Sequence, residues 1–151
     1  MKKTERIGMV RRVVDDIERR KAEALAACER GVLAAQAKLE ELESYRAGYV
    51  RDFARRAGTG MSGAGVREYQ IFLTRLDEAL RQQAQILAQA RLKRSAELES
   101  WRNAARRAAA VGNLATHWQA EERLAADKVE QKESDEHSQQ LWSRRPLAHG
   151  G

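Results

Sequence analysis

The stretch Gly58-Thr59-Gly60-Met61-Ser62-Gly63-Ala64-Gly65 places four glycines within eight residues, in a chain of 151 that holds ten. Both flanks are rich in alanine, arginine, glutamate, leucine, glutamine and lysine, all of them helix formers. Glycine reaches left-handed backbone conformations without steric cost, and it loses more entropy than other residues when held in a helix. The cluster therefore predicts that a helix stops here and the chain folds back on itself. The expectation is an all-α fold of two long helices forming an antiparallel coiled-coil hairpin: one rod, with helix one over about 4–57, a glycine loop over 58–65, helix two over about 66–140 and a frayed tail over 141–151.

Gly58, Gly60 and Gly63 also spell G-x-G-x-x-G. A dinucleotide site would need a hydrophobic strand before the first glycine and an acidic residue about 20 positions further on. The preceding Val50-Arg51-Asp52-Phe53-Ala54-Arg55-Arg56-Ala57 reads as helix. The pattern is a hinge, and no cofactor is expected.

Composition supports long helices over a compact core. Only 5% of residues are aromatic and 33% are charged, and the single proline is Pro146. The formal charge of +6 comes from 28 basic and 22 acidic residues with their signs interleaved. Charge of this kind attracts nucleic acid, acidic protein or anionic lipid without choosing among them. No run of some 18 apolar residues and no signal-like start are present, so neither a membrane span nor a secretory signal is expected. Cys28 stands alone, which excludes an intrachain disulfide and fits a reducing cytosol. His117, His137 and His149 lack partners at metal-ligand spacing, and Cys28 reads as a small packed hydrophobe.

In helix one the apolar residues Ile7, Val10, Val14, Ile17, Ala24, Cys28, Ala35, Leu42, Tyr45 and Tyr49 fall three and four apart, with Thr4 as the expected cap. Lys21, Gly31 and Lys38 interrupt that seam, while Val32 and Leu39 lie one position along. In helix two the seam reads Tyr69, Phe72, Leu76, Ala79, Gln83, Ile86 and Ala90, with Leu73, Leu80 and Leu87 on its flank. It continues more loosely through Leu98, Trp101, Ala105, Ala108, Leu114, Trp118, Leu124 and Val129, and Gly112-Asn113 is its weakest place. Folding about the glycine loop sets Tyr49 against Phe72, Tyr45 against Leu76, Leu42 against Ala79 and Ala35 against Ile86. Helix two then outruns helix one beyond about residue 118, and its remainder is left to fray or to dock on another protein.

The run Leu42, Tyr45, Tyr49, the glycine loop, Tyr69-Gln70-x-Phe72, Leu76, Ala79, Gln83, Ser100-Trp101-Arg102 and Gln131-Lys132-x-x-Asp135-Glu136 resembles the flagellar type III export protein FliJ family over nearly the whole chain. The resemblance implies a cytoplasmic part of the export apparatus, peripheral to the membrane at the flagellar basal body, with a hairpin similar to the central stalk of rotary ATPases. It further implies a rod that inserts into and stimulates the export ATPase ring, contacts the cytoplasmic domain of the export gate membrane protein and escorts export chaperones. The family's gate-binding surface maps onto Leu42, Tyr45, Tyr49, Phe72, Leu76 and Ala79. Lys38 and Gln83 depart from it, standing where glutamine and histidine are familiar. By the same resemblance Gln131, Lys132, Asp135 and Glu136 are the expected ATPase contacts, although Lys132 and Glu136 also stand at the spacing of a solvated ion pair.

No P-loop, paired histidines with a glutamate, or Ser, His and Asp set is present, so no enzyme and no small-molecule substrate are expected. Two other readings stay open. One is a basic nucleic-acid-binding coiled coil, motivated by Arg51, Arg55, Arg56, Arg102, Arg106 and Arg107, against which the glycine loop argues by interrupting any basic region that would feed a parallel zipper. The other is a homodimeric scaffold, whereas a hairpin that satisfies its own seam predicts a monomer when free.

Overall fold

The computed structural model describes residues 1–144, and these form two helices, α1 (Lys3–Thr59) and α2 (Gly63–Ser143), with no strand among the described residues. The break between them is shorter than the glycine cluster suggests. Gly58 stays in the last turn of α1, which closes on Gly60, whose φ of 98° is the one positive value among the described residues. The Gly60 amide bonds the Ala57 carbonyl at 3.3 Å, and the Thr59 hydroxyl donates to the Arg56 carbonyl at 2.9 Å. Two of the orphaned carbonyls at the helix end are thereby satisfied. Ser62 then opens α2, its Oγ accepting from the Gly65 amide at 3.1 Å. A serine cap satisfies an otherwise orphaned donor, so Gly63 and Gly65 enter the first helical turn.

At the other end α2 runs through residues 141–143 into a turn at Arg144. The rest of the expected tail, with Pro146 and His149, lies outside the described residues. Thr4 does not cap α1. The helix begins one residue earlier, and the Thr4 hydroxyl acts instead on Glu122 of α2, whose carboxyl it helps to hold below its ordinary range.

The chain divides into two compact units, residues 17–105 and residues 1–16 with 106 onward. In the unit Ile17–Ala105, cross-helix partners fall in number along α2 as they rise along α1: Glu18 with Trp101, Ala35 with Gln83, Arg46 with Asp77, Tyr49 with Tyr69. The packing is therefore antiparallel. Its seam joins two rows on α1, Glu18, Leu25, Val32, Leu39, Arg46, Phe53 and Lys21, Cys28, Ala35, Leu42, Tyr49, to two on α2, Tyr69, Leu76, Gln83, Ala90, Glu97 and Leu73, Leu80, Leu87, Arg94, Trp101. Every one of these residues is buried or half-buried. Each row repeats every seven residues, as coiled-coil packing requires.

This corrects the apolar reading of the sequence by one row on each helix. Ala35 packs with Val32 and Leu87, not with Ile86, while Tyr45, Phe72 and Ile86 sit outside the seam and are exposed. The reason is chemical. The true second row of α1 holds Glu18 and Arg46, whose charges interrupt its apolar members, while the neighbouring row of Ile17, Ala24 and Tyr45 is itself interrupted by Gly31 and Lys38, so neither stands out as the core. Both polar residues have partners across the seam. Trp101 Nε1 donates to Glu18 Oε1 at 2.9 Å, and Arg46 Nε donates to Asp77 Oδ1 at 2.6 Å. A half-buried polar group satisfied in this way is tolerated in a helix interface.

In the other unit the first turns of α1 pack on α2 around Ile7, Val14 and Ala115, all buried, with Val10 and Leu114 exposed beside them. Arg11 lies along Gly112. The helix runs unbroken through Gly112, because an interior glycine costs only about 1 kcal/mol and the surrounding packing outweighs it. Lys3 stands 4.3 Å over the Trp118 ring, and Lys2 and Lys3 pair with Glu122 and Glu121 at 3.2 and 3.6 Å. Beyond these contacts α2 continues for a further 21 residues, 123–143, all exposed.

Candidate docking surface

The aromatic residues nearest the loop stack into one network. Phe53 and Tyr69 lie with ring centroids 3.7 Å apart, Tyr49 and Tyr69 at 5.0 Å, Tyr49 and Phe72 at 4.6 Å, and Tyr45 meets Phe72 edge-on at 6.1 Å. The pairs between 4.6 and 6.1 Å lie in the range where ring contacts add to the stability of the helix pair. Their exposure grades outward. Phe53, Tyr49 and Tyr69 are half-buried, whereas Tyr45 is 56% exposed and Phe72 37%.

The six residues expected at the gate are thus near neighbours with two different situations. Leu42, Tyr49 and Leu76 belong to the seam, Leu76 being buried. Tyr45, Phe72 and Ala79 line one rim, Ala79 half-buried and the other two exposed. A partner touching the rim would meet side chains whose positions the seam has already set, which lowers the ordering cost of binding.

Lys38 and Gln83, the two departures from the family pattern, are placed differently. Lys38 is exposed, with Nζ 3.7 Å from Glu41 one turn on. Gln83 lies in the seam and donates from Nε2 to the Ala35 carbonyl at 3.0 Å. Its amide is committed within the fold.

Arg46 and Asp77 brace the same end. The bond to Asp77, and then its charge, raise the Arg46 guanidinium above its already high ordinary value. At the loop, Arg55 pairs with Asp52 on the preceding turn.

Gln131, Lys132, Asp135 and Glu136 all lie on the stretch of α2 that extends past Glu122, and all are exposed. Among the described residues none of the four has an ion-pair partner, so the expected Lys132–Glu136 pair does not form.

The aromatic network also holds Phe53 and Tyr69, which are not among the six residues expected at the gate. Phe53 and Tyr69 belong to the seven-residue rows that also hold Val32 and Leu76. Following the first of these rows through Glu18 and Arg46 would have found Phe53, whereas Tyr69 already stood in the seam expected of helix two.

Among the described residues no group of three or more His, Cys, Asp or Glu side chains is placed to hold a metal ion, and no helix is long and apolar enough to cross a membrane. What the fold offers is an all-α helical hairpin with an aromatic rim and an exposed polar end of α2. The comparisons with known proteins give that class its family. The profile of the family described as flagellar FliJ protein matches residues 3–147. A flagellar FliJ protein from Salmonella typhi is 30% identical over 133 residues, 88% of each chain. No solved structure matches the chain. The chain belongs to the flagellar FliJ protein family, whose members are components of flagellar export and are not known as enzymes.

Proposed function

We propose that this chain is a cytoplasmic stalk-like rod of the flagellar export apparatus at the basal body. It engages and stimulates the export ATPase ring, binds the cytoplasmic domain of the export gate membrane protein and escorts export chaperones. The observation that carries this reading is the edge-to-face pair of Tyr45 and Phe72, left exposed by a hairpin whose own seam is already filled. Exposed aromatic side chains held rigid by their neighbours are the usual anchors of protein interfaces.

Gate binding is tested by calorimetry of the full chain against the gate's cytoplasmic domain. Tyr45→Ala with Phe72→Ala lowers affinity more than helicity, because both rings lie outside the seam. Equal loss of both would leave the pair only a packing role.

ATPase stimulation is assigned to the exposed end of α2 that carries Gln131, Lys132, Asp135 and Glu136. Removing residues 124–151 spares Glu121 and Glu122 with their contacts, and it abolishes stimulation while the hairpin stays helical. Undiminished stimulation by the shortened chain would refute the assignment.

A further inference from the structure

We infer that residues 1–6 are a strap over Trp118, closed by polar contacts and able to peel back as far as Ile7, and that its opening uncovers the face of α2 where the exposed end begins. The consequence for the ATPase rests on the reading of that exposed end as the ring-contacting part.

Two lysines and a threonine close the strap. Lys2 Nζ lies 3.2 Å from Glu122 Oε1, Lys3 Nζ lies 3.6 Å from Glu121 Oε2, and the same Lys3 ammonium stands 4.3 Å over the Trp118 ring. Thr4 joins Lys2 in holding the Glu122 carboxyl below its ordinary range. Together these residues line one open hollow of about 410 Å³. No residue from 1 to 6 is buried, Met1 is 77% exposed, and the first buried side chain of α1 is Ile7. The strap therefore has no apolar anchor of its own.

Nor do the lysines favour their own helix. A cation at a helix N-terminus opposes the helix dipole, and Glu5 is the one acidic residue in the first turn of α1. What offsets Lys2 and Lys3 is the pair of carboxylates across from them. Glu121 has a second holder, since His117 Nε2 lies 3.0 Å from its Oε1, so this carboxylate keeps its place when Lys3 leaves. Exposed pairs of this kind are weak and screened by salt, which sets the closed and open forms close in free energy.

Trp118, Ala125 and Lys132 recur every seven residues on α2, as do Glu122, Val129 and Glu136, so both rows run from under the strap into the exposed end. Closed, the strap covers the start of that face. Open, it adds Trp118 and two carboxylates to the surface that carries Lys132 and Glu136. A partner that needs the longer surface binds with an affinity reduced by the fraction of chains that are open.

The test labels the full chain with fluorotryptophan and reads the solvent isotope shift of each fluorine line, Trp118 being assigned through Trp118→Phe. Lys2→Gln with Lys3→Gln, which hardly alters helix propensity, moves the Trp118 shift toward that of Trp142, 73% exposed, and leaves Trp101 where Glu18 holds it. High salt does the same to the unaltered chain, whereas Lys3→Arg keeps a cation over the ring and keeps the strap closed. The double variant also reaches half-maximal ATPase stimulation at about threefold lower concentration. A Trp118 shift that neither the substitutions nor salt can move would overturn the strap. A moved shift with unchanged half-maximal concentration would overturn its control of docking. Failure of the unaltered chain to stimulate would sink the ATPase reading and leave the fluorine lines to decide the strap.

Discussion

Arg46 Nε and Asp77 Oδ1 meet at 2.6 Å across the two helices, at a seam position where a coiled coil ordinarily places an apolar side chain. The pair sits one residue past Tyr45 on α1, and Asp77 directly follows Leu76 on α2. Both side chains are 40% exposed, so water screens the attraction and its weight in stability is small. What it contributes is register, because a shift by one row would separate the charges. Arg46→Met keeps the aliphatic stem and removes the charge. Its melting temperature should fall slightly in dilute buffer, with the difference from the unaltered chain closing in high salt. A deficit that persists in high salt would mean that Arg46 acts through packing instead.

The seam assignment makes a sharper prediction from two adjacent residues. Leu87→Ala removes a buried side chain from the cluster with Val32 and Ala35 and should cost about 2–4 kcal/mol in urea denaturation. Ile86→Ala trims a side chain on the rim and should cost less than about 1 kcal/mol. If the two costs were reversed, the seam would run along the row of Phe72, Ala79 and Ile86.

Glycines on this chain separate by backbone conformation. Gly60→Ala forces a Cβ into a left-handed backbone and should destabilise by about 1–2 kcal/mol. Gly31→Ala adds a methyl in open space within a helix and should stabilise by about 0.5–1 kcal/mol. Thermal melts of the two variants should move in opposite directions. Gly112→Ala should also be tolerated, since the new Cβ would meet Arg11 at 3.7 Å, an ordinary contact.

Acid should loosen the start of α1 first. Hydrogen bonds from Thr4, then from Lys2, hold the Glu122 carboxyl below its usual value. A carboxyl depressed in the folded state lends stability that is present above its unfolded value and lost as pH falls through the folded one. Amide exchange at residues 3–7 should therefore accelerate as pH drops through the acid carboxylate range, after correction for intrinsic rates. Glu122→Gln should remove that added dependence, and exchange that stays as pH-dependent in the variant would assign the effect to another group.

Sequence alone carried the helical content, the position of the reversal and the antiparallel sense, because these follow from local physics. Four glycines among helix formers end a helix wherever the rest of the chain goes, and the absence of proline before Pro146 leaves little else to stop one. Tyr49 opposite Phe72 follows from the same loop, and their rings do pack. Which apolar row fills the seam was not legible. Neighbouring rows on each helix are almost equally apolar, and they differ in what lies across from them. Only the folded chain shows Trp101 satisfying Glu18 and Asp77 satisfying Arg46, which lets polar residues hold seam positions and turns Tyr45, Phe72 and Ile86 outward. Periodicity in one helix marks candidate faces, but a face becomes core or surface through its partner, and that pairing is a property of the tertiary structure.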